Sequence, residues 1–162
     1  MRYDDPDVAD MTAEVQREYS RRYGGDGDAS PIEASEFLPP RGHFVVLESG
    51  GAAVAMGGWR RGGPDGDADA EIKRMYVRPG HRGRGYSRVV LAELEHTAAA
   101  AGVSRLVLET GQAQPEAIAL YRSSGYTDVP ATFGHYASSP LSVHLGKRLA
   151  VADPSGRSPT TS

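Results

Sequence analysis

One stretch combines residue types and spacings that add up to a chemistry: Met75-Tyr76-Val77-Arg78-Pro79-Gly80-His81-Arg82-Gly83-Arg84-Gly85-Tyr86-Ser87-Arg88. A strand-like run enters a loop of spaced glycines and arginines, and the loop opens a helical period. The first N–H groups of a helix have no partner within it, and the helix dipole favours negative charge there. Glycines let the backbone approach an anion closely, and arginines fork onto phosphate oxygens. A diphosphate fits this arrangement; the plainer alternative is a glycine-rich turn with solvated arginines. Two nucleotide motifs fail. The P-loop needs Gly-Lys-Ser/Thr, and no lysine lies here. Gly-x-Gly-x-x-Gly starts at Gly83-Arg84-Gly85, but Arg88 occupies its last glycine.

A second stretch, Gln114-Pro115-Glu116-Ala117-Ile118-Ala119-Leu120-Tyr121-Arg122-Ser123-Ser124-Gly125-Tyr126, reads as a helix opened by proline and stopped by glycine. Read from its helix alone, Tyr121 is a core residue beside Leu120. Thiol chemistry and metal binding find no support in the sequence. The absence of cysteine excludes disulfides, thiolate nucleophiles and cysteine-ligated zinc. The five histidines are scattered, with no i, i+4 pair beside a carboxylate.

The elements that must position these groups follow from periodicity. Val8, Met11, Val15 and Tyr19 predict a helix over 7–23, stopped by Gly24-Gly25, with a loop or broken helix over 24–42. Residues 44–47 and 53–56 flank Gly50-Gly51 as a hairpin, and 71–77 adds a third strand after the polar turn 62–69. Val90, Leu91, Leu94 and Ala98 share a helical face, and Gly102 takes the place of a left-handed cap. Residues 106–108 form a strand, 115–124 a helix, and 141–149 a last strand or pair. A meander plus a βαβ crossover makes the class α+β, or mixed α/β.

Length and charge bound the rest. The 162 residues predict one domain, 1–151, with a disordered tail over 152–162. A net charge of −3 argues against nucleic acid as a partner, while Arg78, His81, Arg82, Arg84 and Arg88 suit a small polyanion. No signal peptide and no run of roughly 20 apolar residues is present, which predicts no membrane partner and a cytoplasmic location.

The two stretches together resemble the GNAT superfamily of N-acetyltransferases. Its loop reads Arg/Gln-x-x-Gly-x-Gly/Ala after a strand ending Val-x-Pro; here Val77-Arg78-Pro79 precedes Arg82 to Ser87, with Ser87 in the last small position. Its second block, Asn-x-x-Ala-x-x-Leu-Tyr-x-x-x-Gly-Phe/Tyr, is matched from Gln114 to Tyr126, with Gln114 keeping an amide. The strongest part covers about a third of the chain. The first strand typical of the family is not evident.

The resemblance implies a central, mostly antiparallel sheet with a splayed parallel pair, flanked by helices. It implies acetyl-CoA as acyl-donor substrate, no metal, a small-molecule or peptide amine as acceptor, and a homodimer as a common state. The amides of Arg82, Gly83, Arg84, Gly85, Tyr86 and Ser87 would hold the CoA pyrophosphate. The backbone of Met75 and Val77 would pair with the pantetheine arm, and Gln114 joins the same set. An N–H near Tyr76 or Val77 would face the oxyanion, where the family's strand bulges.

The chemistry sets three demands. A protonated amine with pKa near 10.4 costs roughly 4–5 kcal/mol to neutralise at pH 7. The carbonyl oxygen needs a donor as it gains charge. The departing thiolate needs a proton or hydrogen bond, which the resemblance assigns to Tyr121. Glu71, on the strand leading to the site, is the first candidate base, directly or through water; its alternative is a charge pair with Lys73 or Arg74. Tyr76, Glu109 and His135 are rivals. Loop 133–140, with Glu36, Phe37 and Trp59, supplies candidates for the acceptor side. A CoA-binding module without turnover, or a nucleotide-binding protein, are the competing readings; the acceptor itself is not specified.

Overall fold

A computed structural model of the chain describes residues 6–23, 34–64, 66–112, 114–130 and 142–149. The predicted tail and loop 133–140, with His135, lie outside the described residues. The element order is helix α1 (Pro6–Tyr23), strands β1 (Gly42–Ser49), β2 (Ala52–Arg61) and β3 (Asp69–Val77), helix α2 (Tyr86–Ala100), strand β4 (Arg105–Gly111), helix α3 (Pro115–Ser123), and strands β5 (Thr127–Asp128) and β6 (Ser142–Arg148). The sheet order is β1-β2-β3-β4-β6-β5. The mixed α/β class and the central sheet flanked by helices therefore match the sequence reading. Among the described residues no strand precedes α1.

The hairpin turns at Gly50-Gly51 as predicted, but both strands run longer than their apolar centres. Gly57-Gly58 looks like a break in the sequence and is instead strand, because close packing demands glycine there. A Cβ on Gly57 would lie 2.5 Å from Met75 Sδ, and one on Gly58 would lie 2.6 Å from the Phe44 ring. β3 likewise begins two residues before the expected Glu71, since Asp69 and Ala70 pair with Arg105 and Leu106. The strand expected over 141–149 is β6, and a separate short strand, β5, pairs with it.

Two apolar clusters sandwich the sheet. Val8, Met11 and Val15 of α1 pack with Phe37, Phe44, Met56 and Tyr76. Val90, Leu91, Leu94 and Ala98 of α2, the face read from periodicity, pack with Val54, Trp59, Ile72 and Leu106. Each large side chain of this kind contributes about 1.5–3 kcal/mol on burial. Phe37 and Trp59, expected on the acceptor side, belong to the core instead. Each is 2 % exposed; Phe37 meets the Phe44 ring edge-on, and the Trp59 indole N–H donates to Thr97 Oγ1 at 3.0 Å. Glu36 is tied to Arg60 at 3.0 Å.

Two irregularities shape the site. β3 and β4 run parallel and pair only over Asp69–Glu71 and Arg105–Val107, then part. The buried Arg105–Asp69 pair, 2.8 and 2.9 Å, clamps the joined end. Beyond the split, β3 carries one extra residue against β2: Met56 faces Tyr76 while Gly58 faces Lys73. Arg74 takes φ +61° within this bulge, a left-handed conformation costly for a residue with a Cβ.

Candidate active site

Where β3 and β4 part, a cleft of about 320 Å³ opens. β3 supplies Ile72 through Val77 and β4 supplies Leu108, Glu109 and Thr110. Val15 and Glu18 of α1 close it on one side; the loop into α2 and residues Glu116 to Tyr121 of α3 close it on the other. The extended gap therefore meets solvent-facing elements from both layers.

The loop has the conformation an anion cradle needs. Gly83 and Gly85 stand at φ +80° and +79°, with open space where a Cβ would project. Gly85 is the N-cap of α2 and no side chain caps the helix, so its first N–H groups are open to an acceptor from outside. Arg82 folds back over the loop. Its Nε donates to the Val77 carbonyl at 3.0 Å and its two Nη groups grip both oxygens of Glu18 at 3.1 Å. Arg78 pairs with Glu14 at 3.4 Å. The basic cluster seen in the sequence is thus partly answered by the i, i+4 carboxylates of α1.

Met75, Tyr76, Val77, Arg82, Gly83, Gly85, Tyr86, Ser87 and Gln114 all line the cleft; Arg84 of the expected set does not. Burial, then the Glu14 carboxylate, hold the Tyr76 phenol above its ordinary value, and that phenol donates to Glu14 at 3.2 Å. Hydrogen bonds with Ser49 and Arg84 lower the Tyr86 phenol. Tyr121 lines the cleft from α3. It is 5 % exposed and meets the ring of Tyr126 edge-on at 5.6 Å. Burial drives the Tyr126 phenol far above its ordinary value, so Tyr126 stays neutral beside it.

The candidate bases separate. Glu71 sits at the last paired position of β3 and is bound to Arg60 at 3.0 Å. It does not line the cleft among the described residues, and the charge pair expected with Lys73 or Arg74 is made with Arg60. Glu109 stands two residues beyond the last pairing of β4 and lines the cleft. It is in contact with His144 of β6. His144, Glu14 and Glu18 were not singled out from the sequence. The i, i+4 spacing of the two glutamates on α1 was a visible signal; His144 needed the β4–β6 register.

A mixed sheet that parts at a parallel pair, with a glycine loop opening a helix beside the gap, defines the architecture of acyl-CoA N-acyltransferases. Comparison with known proteins agrees. The acetyltransferase (GNAT) family matches residues 9–126. An IAA acetyltransferase of Azospirillum brasilense is 38% identical over 129 residues, covering 76% of this chain and 82% of that protein. The N-alpha-acetyltransferase RimI of Mycobacterium tuberculosis is 33% identical over 120 residues, covering 74% and 73%. A solved structure from Klebsiella pneumoniae, described as an acyl-CoA N-acyltransferase, superposes with a TM-score of 0.75 at 29% identity over 93% of this chain and 94% of that one. The chain belongs to the GNAT family of acetyltransferases and is an acyltransferase. Acetyl-CoA use follows from the family.

Proposed function

We propose that the enzyme transfers the acetyl group of acetyl-CoA to a primary amine of a small molecule or peptide, by direct attack within a ternary complex. The observation that carries this reading is the cleft at the β3–β4 split, which brings Tyr121, Glu109, the bulged strand and the glycine loop onto one cavity. The amides from Arg82 to Ser87 bind the pyrophosphate, and the freed edge of β3 at Met75 and Val77 pairs with the pantetheine amides. The bulge at Arg74 re-aims the strand so that an N–H near Tyr76 or Val77 faces the thioester oxygen, where negative charge develops. A preorganised donor of this kind is worth about 3–4 kcal/mol in the transition state.

Glu109 takes the proton from the incoming ammonium, directly or through water, and Tyr121 gives a hydrogen bond or proton to the leaving CoA sulfur. Glu109 is preferred to Glu71 because it lines the cleft while Glu71 is occupied by Arg60. The acceptor enters from the α1 side of the cleft, which Val15 and Glu18 line. One of the two relatives is an N-alpha-acetyltransferase, which makes a peptide N-terminus one acceptor to include.

The test is thiol release from acetyl-CoA across a panel of amines and peptides, with enzyme in catalytic amount. The chain has no cysteine, so the protein adds no thiol signal. Release with one amine class, dependent on protein, is the expected outcome and names the acceptor class. Binding of acetyl-CoA without release for any amine would overturn the transfer reading.

A further inference from the structure

The geometry points to His144 as the residue that positions Glu109, an inference resting on the reading of Glu109 as the base. Glu109 and His144 stand directly opposite each other in the antiparallel β4–β6 register, so their side chains share a face of the sheet. Both are buried, at 7 % and 4 % side-chain exposure, with His144 Nε2 2.9 Å from Glu109 Oε2. Glu109 lines the cleft and His144 does not. His144 meets the cleft through the carboxylate.

The need for such a partner follows from the split sheet. Up to Val107, β4 is flanked by β3 on one side and β6 on the other. At Glu109 the β3 side has opened, and β6 is the remaining neighbour in the sheet. A base must be held in place, because a misplacement of about 1 Å can cost roughly 100-fold in rate. An ionised carboxylate only accepts hydrogen bonds, so Nε2 of His144 carries the proton and donates it to Oε2. The backbone that carries the imidazole is itself anchored. Its strand pairs with β4, and the His144 carbonyl accepts from Val129 N–H at 3.1 Å on the other side. A donor held by two neighbours fixes one oxygen of Glu109 while the side chain still reaches the cleft.

A bland alternative is that two buried polar groups simply satisfy each other. The two roles differ in what a replacement must preserve. Gln places its amide N–H where Nε2 sits; Asn is too short to reach; Leu fills space without a donor. Steady-state kinetics on His144→Gln, His144→Asn and His144→Leu, with Glu109→Gln alongside, separates them. Positioning predicts kcat within about threefold of the parent for Gln. It predicts losses of roughly 10- to 100-fold for Asn and Leu, with the acetyl-CoA KM unchanged within about twofold. The double variant Glu109→Gln/His144→Leu should lose no more than Glu109→Gln, since the partner acts only through the base. Parent-like kcat in the Leu variant would overturn the proposal, as would Gln falling as far as Asn. Should the Leu variant fail to fold, the Gln–Asn pair decides alone. Parent-like kcat in Glu109→Gln would remove the base reading itself; loss there with none in His144→Leu would remove only the positioning role.

Discussion

At the scale of single residues, the proposed chemistry divides between Tyr121 and Glu109, and the two differ in how visible they were. Tyr121 was legible because its helix carries a dense local pattern from Gln114 to Gly125, and a helix fixes its own neighbours without reference to distant strands. Tyr121→Phe keeps the ring against Tyr126 and removes only the phenolic oxygen. It should lower kcat by about 100-fold, in the range for a lost general acid, while the melting temperature and acetyl-CoA KM stay close to the parent; steady-state kinetics and thermal denaturation check both. An unchanged kcat would remove Tyr121 as the acid. Glu109 was one rival among several, and Glu71 stood first. Both lie on strands leading toward the site, and alternation alone cannot rank them. The distinction is that Glu71 sits inside the last three-residue pairing of β3 with β4 and Glu109 sits beyond it. That boundary is a tertiary fact: it depends on where two strands far apart in sequence stop meeting.

At the scale of elements, helices and turns read well and the strand limits did not. The apolar faces of α1 and α2 and the helix stops at Gly102 and Gly125 follow from local periodicity and backbone freedom. The ends of β2 and β3 were set by partners: Gly57-Gly58 by the side chains pressed against them, Asp69 by Arg105. A bulge was expected from resemblance near Tyr76 or Val77; it lies at Arg74 and has no signature in the residues. The loop–helix junction offers the sharpest test at this scale. Gly85 holds φ +79° with nothing near its missing Cβ, so Gly85→Ala suffers conformational strain and no clash. A left-handed alanine costs about 1–2 kcal/mol; relaxing it turns the first amides of α2 away from their aim. Acetyl-CoA affinity should fall about 5- to 30-fold by calorimetry, with kcat at saturation little altered. Full affinity would show that the junction does not hold the phosphates.

At the scale of the molecule, two half-sheets, β1-β2-β3 and β4-β6-β5, are joined by a short parallel seam. The ion pair at that seam is nearly dry, with Asp69 1 % exposed and the Arg105 side chain 15 % exposed. Removing one member of a buried pair strands the other. Asp69→Ala should therefore cost about 3 kcal/mol, read as a fall of roughly 6–12 °C in melting temperature for a chain this size. A loss under about 1 kcal/mol would mean that water reaches Arg105 and the seam is held by its apolar neighbours, Ala70 and Leu106. The clamp also explains why the parting begins so abruptly after Glu71 and Val107: the strands are pinned at one end and released at the other.

A sheet parted down its middle has a further consequence. Each strand that loses its neighbour is left with a row of bare peptide groups, and on a protein's outer rim such rows invite other chains to add on and aggregate. Here the two rows face one another across the opening, walled by α1 on one side and by α2 and α3 on the other. The hazard is kept indoors. In the proposed function it becomes a berth for the kind of guest able to satisfy it, a slender molecule with amides of its own, and the pantetheine chain carries two.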